Sequence, residues 1–136
     1  MLHLGLALLA VMSSQPADVG SQVSVAGGDW SNIPLVKRSG TLRISDDLIS
    51  KIESAAFGEC AKPGQSKTRL DMTIPFLVQF TPEGGVERVV IMRLDCPTIE
   101  QTAGGAVLQL ARAGEYRPTG ENVEGWYRGE IKISLH

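Results

Sequence analysis

The chain has 136 residues, 43% hydrophobic and 21% charged, with a formal net charge of -2; this suits one globular domain and is too short for two. Acids and bases are interleaved, as in RSGTLRISDDLISKIE, which excludes the basic face that nucleic acid or an anionic membrane demands. Aromatic residues are only 5%, too few for a base-stacking surface.

Residues 1–17, MLHLGLALLAVMSSQPA, carry no charged side chain. Their apolar run, Leu2 to Met12, is too short for a bilayer, which takes about 20 residues. It has the length of a signal-peptide core and is followed by small and turn-forming residues. We therefore expect a signal peptide over 1–17, no membrane span, and a periplasmic or secreted protein. Residues 18–32, beginning DVGSQVSVAGGD, are rich in Gly and Ser and lack periodicity, so they read as a flexible leader. The folded domain is expected over 33–136, with Trp30, Ile33 and Leu35 as an extended segment packing onto it.

The first helix starts at Ser45, a good N-cap, with Asp46 and Asp47 opposing the helix dipole in the first turn. Leu48, Ile52, Ala55 and Ala56 recur at helical spacing, and Gly58 is a stop. After the turn at Pro63-Gly64, Leu70, Met72, Ile74, Phe76, Val78 and Phe80 alternate without a miss. They predict a strand with one buried face and one largely polar face. Pro75 lacks an N–H, so the strand there is paired on one edge or bulged. TPEGG is a type I turn with a bulge at Gly84. The next strand offers Val86, Val89 and Ile91, a spacing that needs a bulge to restore alternation. Pro97 opens a second helix whose apolar face is Ile99, Ala103, Ala106, Val107 and Leu110. Gly104 and Gly105 imply that this helix approaches the sheet closely. A last strand follows, with Ile131, Ile133 and Leu135 alternating with Glu130, Lys132 and Ser134.

Cys60 and Cys96 behind a signal peptide read as a disulfide. Closing their roughly 35-residue loop contributes about 3–4 kcal/mol on the chain-entropy model. The alternatives are a reactive Cys96 at a helix N-terminus and a metal site. A nucleophile needs a base, and the two histidines are His3 and the terminal His136. Zinc needs further ligands that the sequence does not offer. No acid–base pair or triad stands out, so no catalysis, cofactor or metal is expected.

The predicted order is α-β-β-α-β. A helix joins the second and third strands, which makes them parallel, and the first strand fits between them. The expected fold is α+β: a three-stranded antiparallel sheet, order 2-1-3, two helices on one face, and the last strand as an open edge.

This order, together with FLVQFTPEGGVERVVIM, the helix TIEQTAGGAVLQLARAGEYRP and the closing GEIKISL, resembles the C-terminal domain of TonB-type energy transducers. The likeness covers roughly residues 69 to 135. It implies a periplasmic, non-catalytic domain that takes a segment of an outer-membrane or other envelope protein as an added strand beside its last strand. The partner-binding residues it implies are Gly129, Glu130, Ile131, Lys132, Ile133, Ser134 and Leu135. Strand exchange into a homodimer is also open to such a fold. With a short apolar run and 7 prolines, the chain reads as a stand-alone version without anchor or proline-rich spacer. The competing reading is a small disulfide-stapled structural or inhibitory domain acting through loop 117–127, with Trp126 and Tyr127 as anchors.

Overall fold

The computed structural model describes residues 21–25, 28–38, 44–120 and 125–135; the expected signal peptide, 1–17, lies outside them. The element order is β1 (Ser21–Val25), β2 (Lys37–Arg38), α1 (Asp46–Phe57), β3 (Leu70–Phe80), β4 (Val86–Met92), α2 (Pro97–Arg112), β5 (Tyr116–Arg117) and β6 (Gly125–Leu135).

The sheet corrects the expected architecture. It is four-stranded and mixed, in the order β1-β4-β3-β6, and a second, two-stranded sheet pairs β2 with β5. A three-stranded antiparallel sheet in an α-β-β-α-β chain is therefore not the fold. The difference arises before the first helix. Ser21–Val25, inside the segment read as a flexible leader, pairs parallel with β4 over five residues, Ser21↔Arg88 to Val25↔Met92. Its sequence, SQVSV, does alternate, but with one of its two faces polar it carries no apolar run to announce a strand.

The local chemistry of the remaining elements is that of their sequences. Ser45 Oγ accepts the Leu48 N–H at 3.3 Å to cap α1. In the β3–β4 turn, Gly84 has φ 86° and donates its N–H to Thr81 O at 2.9 Å, and Thr81 N donates to Gly85 O at 2.8 Å. The register then jumps from Phe80↔Val86 to Gln79↔Arg88, leaving Glu87 as the extra residue. Pro75 pairs with Glu130 of β6, one residue beyond the last β3–β4 pair, Phe76↔Ile91. The ladder alternation turns its nitrogen toward the β4 side, where no donor is used.

The core lies between the sheet and the two helices. Ile74, Phe76, Val78 and Phe80 of β3, Val89 and Ile91 of β4, and Ile131, Ile133 and Leu135 of β6 meet Ile52, Ala55 and Ala56 of α1 and Ile99, Ala103 and Val107 of α2. Tyr116 caps one end, its ring 5.1 Å from that of Phe76. The far face of the sheet is not uniformly polar: Leu77 and Val90, opposite one another, are buried on it. After β1 the chain passes from the β4 edge to the β6 edge, where Val36 N donates to Arg128 O at 2.8 Å and Arg128 N to Pro34 O at 2.9 Å. Arg128 shares the face of Leu77, and its Nε donates to Ile33 O at 2.6 Å.

Cys60 and Cys96 are joined in a disulfide, 36 residues apart. It ties the end of α1 to the N-cap of α2.

Candidate binding edge

The seven residues implied as partner-binding all lie on β6, which pairs with β3 along its whole length, Gly125↔Phe80 to Leu135↔Leu70. In an antiparallel ladder, alternate residues turn their backbone groups toward the partner strand and away from it. Arg128 gives both its N–H and its C=O to residues 34–36, so it points away from β3. By the same alternation Glu130, Lys132 and Ser134 also point outward, and Gly129, Ile131, Ile133 and Leu135 point into the β3 ladder. The side chains follow a second alternation. Ile131, Ile133 and Leu135 are buried among the core residues, and Glu130, Lys132 and Ser134 are exposed.

The outer edge of β6 is thus divided. Its first half is taken at Arg128 by the parallel bridge to Leu35, and Thr119 Oγ1 donates to Leu35 O at 3.1 Å to hold that bridge. The expected fully open edge is shorter by this amount. From Glu130 to Leu135 no strand among the described residues pairs with it. Beside this half runs a groove of about 500 Å³, lined by Arg38, Ile44, Ile49, Glu130, Ile131 and Lys132. Its lining mixes three isoleucines with side chains of both charges.

Gly129 has a packing role. It lies opposite Phe76, and a Cβ on it would come 2.5 Å from Phe76 Cζ. The ring occupies the space a side chain would need, and it packs at a tilt against Tyr116 in turn. The Tyr116 hydroxyl is buried and has no hydrogen-bond partner among the described residues. Burial raises its pKa, against the field of Arg38.

The residues of the competing reading separate. Tyr127 is buried, its ring 5.7 Å from that of Phe80 in an edge-on contact, and its hydroxyl accepts the Gly120 N–H at 3.4 Å. It belongs to the core. Trp126 is half-buried, and residues 121–124 of that loop lie outside the described residues.

A second hollow, about 400 Å³, opens at the disulfide between Lys62, Gln65, Asp71, Arg93 and Asp95. Glu59, Cys60 and Cys96 offer three ligand atoms within 4.8 Å of one another at the disulfide. The two sulfurs are bonded to each other, so neither is the thiolate a metal ion takes, and the set does not fit a metal in this oxidation state.

One residue the sequence did not single out is central to this end of the molecule. Glu100 is a buried charged side chain, 5% exposed. Cys96 is the N-cap of α2 but makes no side-chain cap bond. The Glu100 carboxylate instead reaches back to the turn before the helix, accepting the N–H of Leu94 at 2.9 Å and of Cys96 at 3.1 Å. Burial pushes its pKa up, but those two bonds, a third from the Ser24 hydroxyl and the charge of Arg93 together hold it below the ordinary glutamate value. An acid in the first turn after Cys-Pro was the available signal. Its link to β1 had none.

Comparison of the chain with protein-family models, curated proteins and solved structures finds no match.

Proposed function

We propose that this chain is a secreted or periplasmic, non-catalytic binding domain, similar to the C-terminal domain of TonB-type energy transducers. Its ligand is a segment of an envelope or outer-membrane protein, added as a strand beside the second half of β6. The observation that carries this reading is the row of outward backbone groups at Glu130, Lys132 and Ser134, next to a groove whose lining includes Ile44, Ile49 and Ile131. An added strand exchanges N–H and C=O with such a row, and the groove takes one of its apolar side chains. Glu130 and Lys132 restrict which strand pairs there, since charges on an edge discourage indiscriminate pairing. The disulfide suits an oxidising compartment, and no described helix is long and apolar enough to cross a membrane. The same edge allows a homodimer. Antiparallel pairing about Ile131 sets Glu130 opposite Lys132 of the second copy, and Lys132 opposite its Glu130.

The test uses matched baits. Lys132→Pro removes one outward N–H without touching a β3–β6 bond. An envelope protein retained by the wild-type chain and lost with Lys132→Pro is the expected result, together with slowed exchange of the Glu130, Lys132 and Ser134 amides when that protein is added. Equal recovery by both baits, or no recovery by either, overturns the proposal.

A further inference from the structure

The opposite edge of the sheet carries a separate site. Of the four strands of the main sheet, β1 is the one with no fully buried residue: Val23 is 45% exposed and the others are exposed or half-buried. The core cluster contains no β1 residue, so the domain core is complete without it. Yet β1 is held at defined positions. Val25 O accepts the Arg93 N–H at 2.5 Å. Gln22 Nε2 donates to Gln101 O of α2 at 3.2 Å. Ser24, two residues on, lies close enough to the Glu100 carboxylate for its hydroxyl to help lower that group's pKa. Gly104 provides the room for Gln22: a Cβ there would lie 2.8 Å from Gln22 Cδ and 3.1 Å from Ile91 Cγ1.

Between β4 and the first turns of α2 there is thus a groove that reads an extended segment at two positions, two residues apart, with polar groups. Apolar burial, the usual glue of a strand, contributes little. A strand held this way belongs to the low-stability end of the molecule, the part that opens locally first.

We propose that the β4–α2 groove is a peptide-binding site for an uncharged extended segment carrying Gln and Ser two residues apart. The chain's own β1 fills it here, and the β1 of a second copy enters it by exchange. The exchanged strand makes the same five-residue parallel pairing and the same Gln22 bond and sets Ser24 beside Glu100 in the same way, so the dimer costs no interaction that the monomer has. This is the usual route of segment swapping.

The probe is a fluorescein-labelled peptide of residues 19–28, titrated into the full chain. A groove occupied in cis shows an apparent affinity reduced by the fraction of time it is open. The Gln22→Ala/Ser24→Ala chain keeps every groove residue and weakens only the cis occupant. It should bind the native peptide about tenfold more tightly than wild type does. A peptide with Ala at both positions should lose that binding, and so should a chain with Gly104→Ala added. Sedimentation of the wild-type chain should show a dimer that grows with concentration. If the double variant does not fold, the single Gln22→Ala chain replaces it. Failure of the folded variant to bind, equal binding of the native and alanine peptides, or a wild-type chain that stays monomeric to millimolar concentration overturns the proposal.

Discussion

At Gly129 a single hydrogen stands where a side chain would run into the Phe76 ring. That ring is packed on Tyr116 and has 0% exposure, so it cannot swing away cheaply. Gly129→Ala should therefore cost about 1–3 kcal/mol, the usual range for overpacking a core, read from chemical denaturation midpoints. Glu100 gives the second prediction at this scale. Its folded pKa lies below the ordinary glutamate value, so its stabilisation is fully present above that value and is lost as the pH falls through the folded pKa. Glu100→Gln should lower the urea midpoint at neutral pH, and the gap to wild type should shrink on acidification through the carboxylate range. A gap that stays constant with pH would mean the charge contributes nothing. The buried Glu100 was not evident from local pattern, because its partners are Ser24, Leu94, Cys96 and Arg93, and the Ser24 contact exists only once β1 has docked.

Among the elements, β6 separates two kinds of backbone donor. Lys132 N–H points outward and Ile133 N–H points into the β3 ladder, by the alternation that Arg128 sets. Proline at Lys132 should leave the domain folded and weaken strand addition by about tenfold or more, the equivalent of 1.4 kcal/mol. Proline at Ile133 should instead unfold or strongly destabilise the domain, since it breaks a ladder bond in a buried strand. Circular dichroism melts of the two variants distinguish them. Much of the β3–β4 hairpin was legible: the six alternating apolar positions, the turn closed at Gly84 and the need for a bulge in β4 follow from local chemistry, whereas the bulge's place at Glu87 and the burial of Leu77 and Val90 on the far face came from the structure. The half-coverage of the β6 edge was not. It depends on where Pro34 and Val36 arrive, 94 and 92 residues from Arg128 in sequence.

For the whole molecule, the disulfide closes a loop that contains the entire β3–β4 hairpin and joins the two helices. Replacing both cysteines, Cys60→Ala with Cys96→Ala, should cost about 2–5 kcal/mol, measured by thermal or urea unfolding. Cys96 also donates its N–H to Glu100, so this loss and that of Glu100→Gln should not add independently. The two edges of the main sheet differ. On one, β6 offers outward backbone with buried side chains behind it. On the other, β4 is covered by a strand held through polar contacts.

The helix caps, the hairpin, its turn and bulge, and the cysteine pair were determined by residues within a few positions of one another, or by composition alone. Short-range steric and hydrogen-bonding preferences suffice for these. The mixed sheet, the docking of Ser21–Val25 beside β4 and the division of the β6 edge were decided by tertiary structure. A short strand with one polar face carries too little apolar signal to declare itself. Its place is set by groups distant in sequence, a glycine and a buried carboxylate on α2, that meet it only in the folded chain.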